Sequence, residues 1–104
     1  MLKADLSRKK ALVTGASSGI GKAIASLLAE CGATVAVNHL QEDARGPATV
    51  EALNARGFQA LSAPGDVSSV DSAESMVSNA IDGLGGLDIP VSYTHLTLPT
   101  ILRV

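Results

Sequence analysis

Short apolar runs alternate along the chain with longer segments in which apolar and polar residues are mixed. The runs lie at residues 10–13, 34–38 and 58–63, and a further run begins at residues 87–89. Each is bounded by glycine, proline or polar residues, which is typical of strands that are buried on both faces of a sheet. The pattern therefore predicts a strand at each of these runs.

The longer segments carry apolar residues at steps of about three and four residues, which is the period of an amphipathic helix. Residues 19–31, 47–56 and 70–84 form such segments. At the start of the last one, Ser68 and Asp71 have the spacing of a capping box, with Asp in the usual place of Glu. Strands and helices that alternate in this way favour a parallel sheet with right-handed crossovers.

Composition excludes several classes of protein. The 104 residues fit one small domain, and the net charge of −2 provides no basic excess to hold a nucleic-acid backbone. No apolar run approaches the roughly 20 residues that a membrane helix needs. Cys31 is the only cysteine, so an internal disulfide and a multi-cysteine metal site are excluded. We therefore expect a cytoplasmic α/β protein that binds neither nucleic acid nor membrane.

The first predicted strand runs into a glycine-rich turn, residues 14–21, that opens the first helix. Gly15 allows a tight turn without Cβ strain, Gly19 lets a ligand approach the backbone, and Gly21 lets the helix pack against the sheet. A helix N-terminus presents unpaired N–H groups and a positive dipole end, which suit a pyrophosphate. The spacing alone would also fit a turn without a ligand, but its place between a strand and a helix predicts nucleotide binding.

The order Thr-Gly-x-x-x-Gly-x-Gly at residues 14–21 resembles the glycine motif of the short-chain dehydrogenase/reductase family, in its classical branch. Asn38 after the second strand, residues 65–67 after the third strand and residues 86–89 before the fourth strand also resemble that family. The resemblance covers residues 6–89. It implies hydride transfer between NAD(P) and a carbonyl or alcohol, as in a 3-oxoacyl-acyl-carrier-protein reductase or a sugar dehydrogenase.

The resemblance also implies a fold. We expect an α/β protein with a Rossmann-type parallel sheet, of which the chain holds the N-terminal half with the order βαβαβαβ. The expected strand order is 3-2-1-4, with the first two helices on one face of the sheet and the third on the other. We expect residues 1–89 to form a partial NAD(P)-binding domain that is truncated at the fourth strand.

The residues that the resemblance assigns to the cofactor follow the first three predicted strands. We expect the cofactor contacts to come from Gly15, Ser17, Ser18, Gly19, Ile20, Gly21, Asn38, His39, Asp66 and Val67. In the family, an Asp at the position of Asp66 meets the adenine.

The cofactor is expected to be NADP or NAD. An acidic residue at the end of the second strand would bind the ribose 2′-OH of NAD and repel a 2′-phosphate. This chain has Asn38 and then His39 there, which favours NADP, although the usual arginine markers for NADP in the family are also missing. His39 is open to two interpretations, a cofactor contact or a solvated loop residue. Arg45 could reach the phosphate, but surface solvation is the favoured interpretation.

After Ile89 the resemblance stops, since the family would continue to an Asn-Asn-Ala-Gly turn. Residues 91–100 instead match the translation of a transposon-based sequencing adapter, and the boundary codons on either side also fit. We therefore interpret residues 90–104 as a non-native tail produced by adapter read-through, and expect residues 91–104 to be irregular or only loosely packed. The alternative is a genuine divergent tail.

The catalytic Ser and the Tyr-x-x-x-Lys pair of the family lie beyond this point. Tyr93 does not supply the pair, because its fourth following residue is Thr97 and all four lysines precede the second strand. We therefore expect this chain to be inactive, while its parent is a homo-oligomer that acts on a small carbonyl or alcohol. The alternatives are a non-catalytic nucleotide-binding half-domain and an interaction module that uses its sheet edge.

Overall fold

The computed structural model describes residues 5–91. Its strands, β1 to β4, are Lys10–Val13, Thr34–His39, Ala60–Pro64 and Ile89–Val91, and its helices, α1 to α3, are Gly19–Glu30, Arg45–Ala55 and Val70–Leu84. The strands pair in parallel in the order β3-β2-β1-β4. The expected α/β class and strand order are therefore confirmed. In this part of the chain, no helix is long and apolar enough to span a membrane.

The sheet is covered on both faces by apolar clusters. On one face, Ala25 of α1 and Leu53 of α2 pack in a cluster with Val13 and other strand residues. On the other face, Met76 of α3 packs in a cluster with Leu12. The side chains of neighbouring β1 residues therefore point to opposite faces of the sheet, as the two-residue period of a strand requires. The expected division of the helices between the faces is confirmed.

The connection between β2 and α2 is shorter than the pattern predicts. β2 continues to His39, because its ladder with β3 extends to the pair His39 and Pro64. α2 begins at Arg45, so that Pro47 is its third residue. The missing N–H of Pro47 costs little there, since the first N–H groups of a helix have no acceptor within the helix.

The start of α3 differs from the predicted capping box of Ser68 and Asp71. The N-cap is Ser69, whose side chain accepts a hydrogen bond from the backbone N–H of Ser72 at 3.4 Å. The Ser68 hydroxyl donates to the Asp66 carboxylate at 2.6 Å and is therefore used in the preceding turn. Asp71 lies in the first turn of α3, where its charge is favourable to the helix dipole.

β4 begins later than the predicted start of the fourth strand. Its residues Ile89–Val91 pair with β1, and the Val91 carbonyl accepts a hydrogen bond from the backbone N–H of Thr14 at 3.0 Å. Val91 also packs against the core cluster that contains Val13, so the expectation that residue 91 is irregular or only loosely packed is wrong. The remainder of the expected tail, residues 92–104, lies outside the described residues.

Two glycines near α3 provide a test of the packing on this face. A Cβ at Gly65 would lie 2.6 Å from the Cβ of Met76, whereas one at Gly83 would lie 3.6 Å from the nearest atom of Leu61. We expect Gly65→Ala to lower the free energy of unfolding by about 1–3 kcal/mol, because Met76 has to move. Gly83→Ala should leave it unchanged or raise it by up to about 1 kcal/mol, because alanine favours a helix. Urea unfolding measures both, and equal effects would contradict the packing described.

Candidate functional site

The carboxyl ends of β1, β2 and β3 meet at a cavity of about 260 Å³. Its walls come from the glycine-rich turn, the end of β2 with the loop after it, and the turn after β3. They comprise Gly15, Ser17, Ser18, Asn38, His39, Leu40, Asp43, Arg45, Gly65, Asp66 and Val67. The structure therefore brings together the predicted residues from all three strand ends.

The predicted residues of the first turn of α1 lie beside this cavity. Gly19 lines an adjoining cavity of about 270 Å³, together with Ser17 and Ser18. Ile20 is 66% exposed. Gly21 is buried, in agreement with its predicted role in packing the helix on the sheet. The adjoining cavity thus lies directly in front of the helix start, and Ile20 is not held by the core.

The N-terminus of α1 is suited to an anion. Gly19 has a φ of 61°, and a Cβ there would have no atom within 4 Å, so the space in front of this residue is open. Ser18 is the N-cap but makes no side-chain capping bond, and the first turn has no acidic residue. Since the first N–H groups of a helix have no acceptor within the helix, this end offers donors and a positive dipole to a phosphate.

Asn38 ties the walls of the first cavity together. Its Oδ1 accepts a hydrogen bond from the backbone N–H of Gly15 at 3.0 Å. Its Nδ2 donates to the carbonyls of Ala63 and Gly65, at 2.9 and 3.1 Å. The residue is only 2% exposed. Both Nδ2 protons are therefore used within the protein, and Asn38 positions the site by joining the glycine-rich turn to the end of β3.

His39 is buried beneath the start of α2. It is 4% exposed, so the interpretation of this residue as a solvated loop residue is wrong. Nδ1 lies 2.7 Å from the carbonyl of Leu40, and Nε2 is buried without a hydrogen-bond partner within residues 5–91. A Cβ at Gly46 would overlap the imidazole ring, so the second residue of α2 has to be glycine for the helix to cover His39.

Asp43 lies in the cavity wall, although the sequence pattern does not reveal it. Its carboxylate accepts hydrogen bonds from the guanidinium of Arg45 at 3.0 Å and from the Ser17 hydroxyl at 2.8 Å. These bonds, that of Arg45 above all, hold the pKa of Asp43 well below its usual value. An acidic residue just before a helix is a recognisable start signal. The predicted start at Pro47, however, places Asp43 in the middle of a loop.

Asp66 supplies a second carboxylate, from the turn after β3. Its Oδ1 accepts hydrogen bonds from the hydroxyl and the backbone N–H of Ser68, at 2.6 and 2.9 Å. These two bonds lower the pKa of Asp66. Asp66 is therefore ionised at neutral pH and is held by one oxygen at the edge of the cavity.

A larger cavity, of about 460 Å³, opens at the amino-terminal ends of the strands, where Arg8, Lys10 and Phe58 line it. Ligands of open α/β sheets bind outside the carboxyl ends of the strands, so we assign the site to the opposite edge. Within residues 5–91, no three His, Cys, Asp or Glu side chains are grouped as a metal site would require.

Comparison with known proteins identifies the class. The family model for short chain dehydrogenases matches residues 9–93, and the chain belongs to this family. It is similar to the 3-oxoacyl-acyl-carrier-protein reductase FabG of Staphylococcus aureus, with 37% identity over 90% of this chain and 38% of that protein. The chain thus spans about two-fifths of the length of this curated relative.

Solved structures agree with this assignment. A short chain dehydrogenase from Burkholderia cenocepacia in complex with NADP is 38% identical, with a TM-score of 0.77 over 83% of this chain and 35% of that chain. A dehydrogenase/reductase from Sinorhizobium meliloti is 33% identical, with a TM-score of 0.83 over 98% of this chain and 41% of that chain. The fold is therefore that of the N-terminal part of these enzymes.

The role of Asn38 can be tested by placing an acid at this position. We expect Asn38→Asp to lower the free energy of unfolding by about 2–4 kcal/mol, because a carboxylate has no proton to donate to the carbonyls of Ala63 and Gly65. Asn54→Asp is the matched control, since the Asn54 amide donates to the Ala60 carbonyl at an exposed site. Urea unfolding at neutral pH measures both. A cost for Asn38→Asp no greater than that of the control would show that the buried amide does not hold the site.

Proposed function

We propose that this chain binds the adenosine diphosphate portion of NADP or NAD, as the N-terminal cofactor-binding part of a short-chain oxidoreductase. The observation that carries this proposal is the start of α1, which lacks a side-chain cap and faces open space at the carboxyl ends of the parallel strands. Dinucleotides bind at this place in doubly wound folds. The Burkholderia relative was solved in complex with NADP, which supports the assignment.

Different residues of the site would bind different parts of the cofactor. The N–H groups at Gly19 and Ile20 would receive the pyrophosphate, since they open the uncapped turn of α1. Asp66 and Val67 would hold the adenine in the cavity that they line. Gly15, whose φ is 59°, allows the chain to turn sharply between β1 and this site.

When bound, the nicotinamide ring supplies or accepts a hydride. The residues of this chain bind and orient the adenosine end, with the walls of the site held by the Asn38 amide. We propose that the whole protein is a homo-oligomer that transfers hydride between the cofactor and a small carbonyl or alcohol. The similarity to the reductase of Staphylococcus aureus favours a 3-oxoacyl substrate over a sugar.

Base selectivity tests the adenine site. We expect the chain to bind ADP more tightly than IDP, because the Asp66 carboxylate accepts from the adenine amino group. Asp66→Asn keeps an oxygen for Ser68 but replaces the second oxygen by a donor, so ADP should bind about tenfold more weakly and the preference over IDP should be lost. Titration calorimetry measures both ligands. Asp82→Asn, an exposed acid on α3, is the control and should change neither.

A second test concerns turnover. The sequence contains no Tyr-x-x-x-Lys pair, so we expect the purified chain to bind ADP and yet to oxidise no NADPH or NADH with a 3-oxoacyl thioester or a sugar. Absorbance at the nicotinamide band follows the reaction, and a complete short-chain reductase serves as the positive control. Turnover that Tyr93→Phe abolishes would overturn the assignment of this chain as the cofactor-binding part alone.

A further inference from the structure

Arg45 lies at the boundary between the two cavities of the site and lines both of them. We propose that Arg45, oriented by Asp43, recognises the adenosine 2′-phosphate, so that this site prefers NADP to NAD. The proposal rests on the cofactor binding proposed above. It replaces surface solvation as the role of Arg45 and assigns a positioning role to Asp43.

The two cavities differ in charge. The cavity at the strand ends is lined by two carboxylates, Asp43 and Asp66. The adjoining cavity is lined by Arg45 and Lys22, by the hydroxyl residues Ser17 and Ser18 among others, and by no acidic residue. A phosphate at a 2′ position carries a charge of about −1.5 to −2 at neutral pH. The second cavity is therefore where this group is attracted, while the neutral adenine and ribose suit the first.

Asp43 would be expected to favour NAD if its carboxylate could accept from the ribose 2′-OH. Its acceptor positions are already occupied. Oδ1 accepts from the backbone N–H and from Nε of Arg45, both at 3.0 Å. Oδ2 accepts from Nη2 of Arg45 at 3.0 Å and from the Ser17 hydroxyl at 2.8 Å. Since an ionised carboxylate offers about four acceptor sites, none is left for a ribose hydroxyl unless one of these bonds breaks.

The same contacts leave donors on Arg45. The bidentate pair with Asp43 uses Nε and one proton of Nη2, while both protons of Nη1 lie outside it. The Arg45 side chain is 67% exposed, whereas that of Asp43 is 15% exposed. The more buried acid therefore fixes the plane of the guanidinium and leaves its outer edge to solvent. A planar fork of this kind matches the oxygens of a phosphate.

The affinities for NADP and NAD test the proposal, since the two cofactors differ only in the 2′-phosphate. By titration calorimetry, we expect the unmodified chain to bind NADP at least about tenfold more tightly than NAD. Arg45→Gln should weaken NADP binding by about 10- to 100-fold without weakening NAD binding, because the freed Asp43 acceptors can only favour a ribose hydroxyl, and Arg45→Lys should restore part of the difference. Arg56→Gln is the matched control, because Arg56 also pairs with an acid, Glu30, at 3.2 Å and is 51% exposed.

The variant Asp43→Asn distinguishes orientation of Arg45 by Asp43 from repulsion of the phosphate by the Asp43 charge. If Asp43 merely repels the phosphate, loss of its charge tightens NADP binding. If it orients Arg45, NADP binds several-fold more weakly and NAD is unaffected, which is the result that we expect. Tighter NADP binding in this variant would overturn the positioning role.

Three further results would overturn the inference, its assignment to Arg45, or the proposed function. Equal affinities for NADP and NAD, or a preference that Arg45→Gln leaves intact, would overturn the inference while the proposed cofactor binding stands. A larger loss of NADP affinity in Lys22→Gln than in Arg45→Gln would overturn the assignment to Arg45. Failure of the unmodified chain to bind NADP, NAD and ADP would overturn the proposed function, and the inference with it.

Discussion

The side-chain amide of Asn38 joins the glycine-rich turn to the end of β3, and the walls of the proposed cofactor site depend on this link. Where parallel strands end, their backbone groups lose the sheet partners that satisfied them. A buried group left without a partner costs about 1–3 kcal/mol, so the strand ends need another source of donors and acceptors. One amide with an acceptor and two donors provides it here. The relative positions of the cavity walls are therefore fixed by hydrogen bonds within the protein.

Small side chains place the start of α1 at the edge of this site. Gly21, Ala25 and Ala29 follow one another at intervals of about one turn, and all three are buried. The small size of these three residues lets the helix approach the strands closely, while the longer side chains of Ile24 and Leu28 pack against the same cluster. The turn between β1 and α1 is correspondingly tight, and the N–H groups of the helix start lie beside the strand ends. The packing of the core and the position of the proposed phosphate site thus have the same origin.

The topology could be predicted from the sequence because each strand falls on a short apolar run and each helix has apolar residues at helical spacing, although only β1 and β2 are largely buried. The details of the site depend on contacts between distant residues, which a local pattern does not contain. His39 is buried because Gly46 lets α2 lie over its ring. Asp43 belongs to the site because Ser17, 26 residues earlier, donates to it. Likewise α3 is capped by Ser69 and not by Ser68, because the Ser68 hydroxyl donates its hydrogen bond to Asp66.

Asp43 shows why residue type alone does not determine the choice of cofactor. An acid at the end of β2 would keep acceptors for a ribose hydroxyl, and the rule that associates such an acid with NAD rests on those acceptors. In this chain the Asn38 amide is hydrogen-bonded within the walls of the site, and the acid of the loop after β2 that lines the cavity is Asp43. There Arg45 and Ser17 occupy its acceptors. A carboxylate whose acceptor sites are filled by an arginine cannot accept a hydrogen bond from a ribose hydroxyl. It instead orients the arginine. The same acid therefore favours NAD or NADP according to its hydrogen-bond partners, and in the proposed site those partners favour the phosphate.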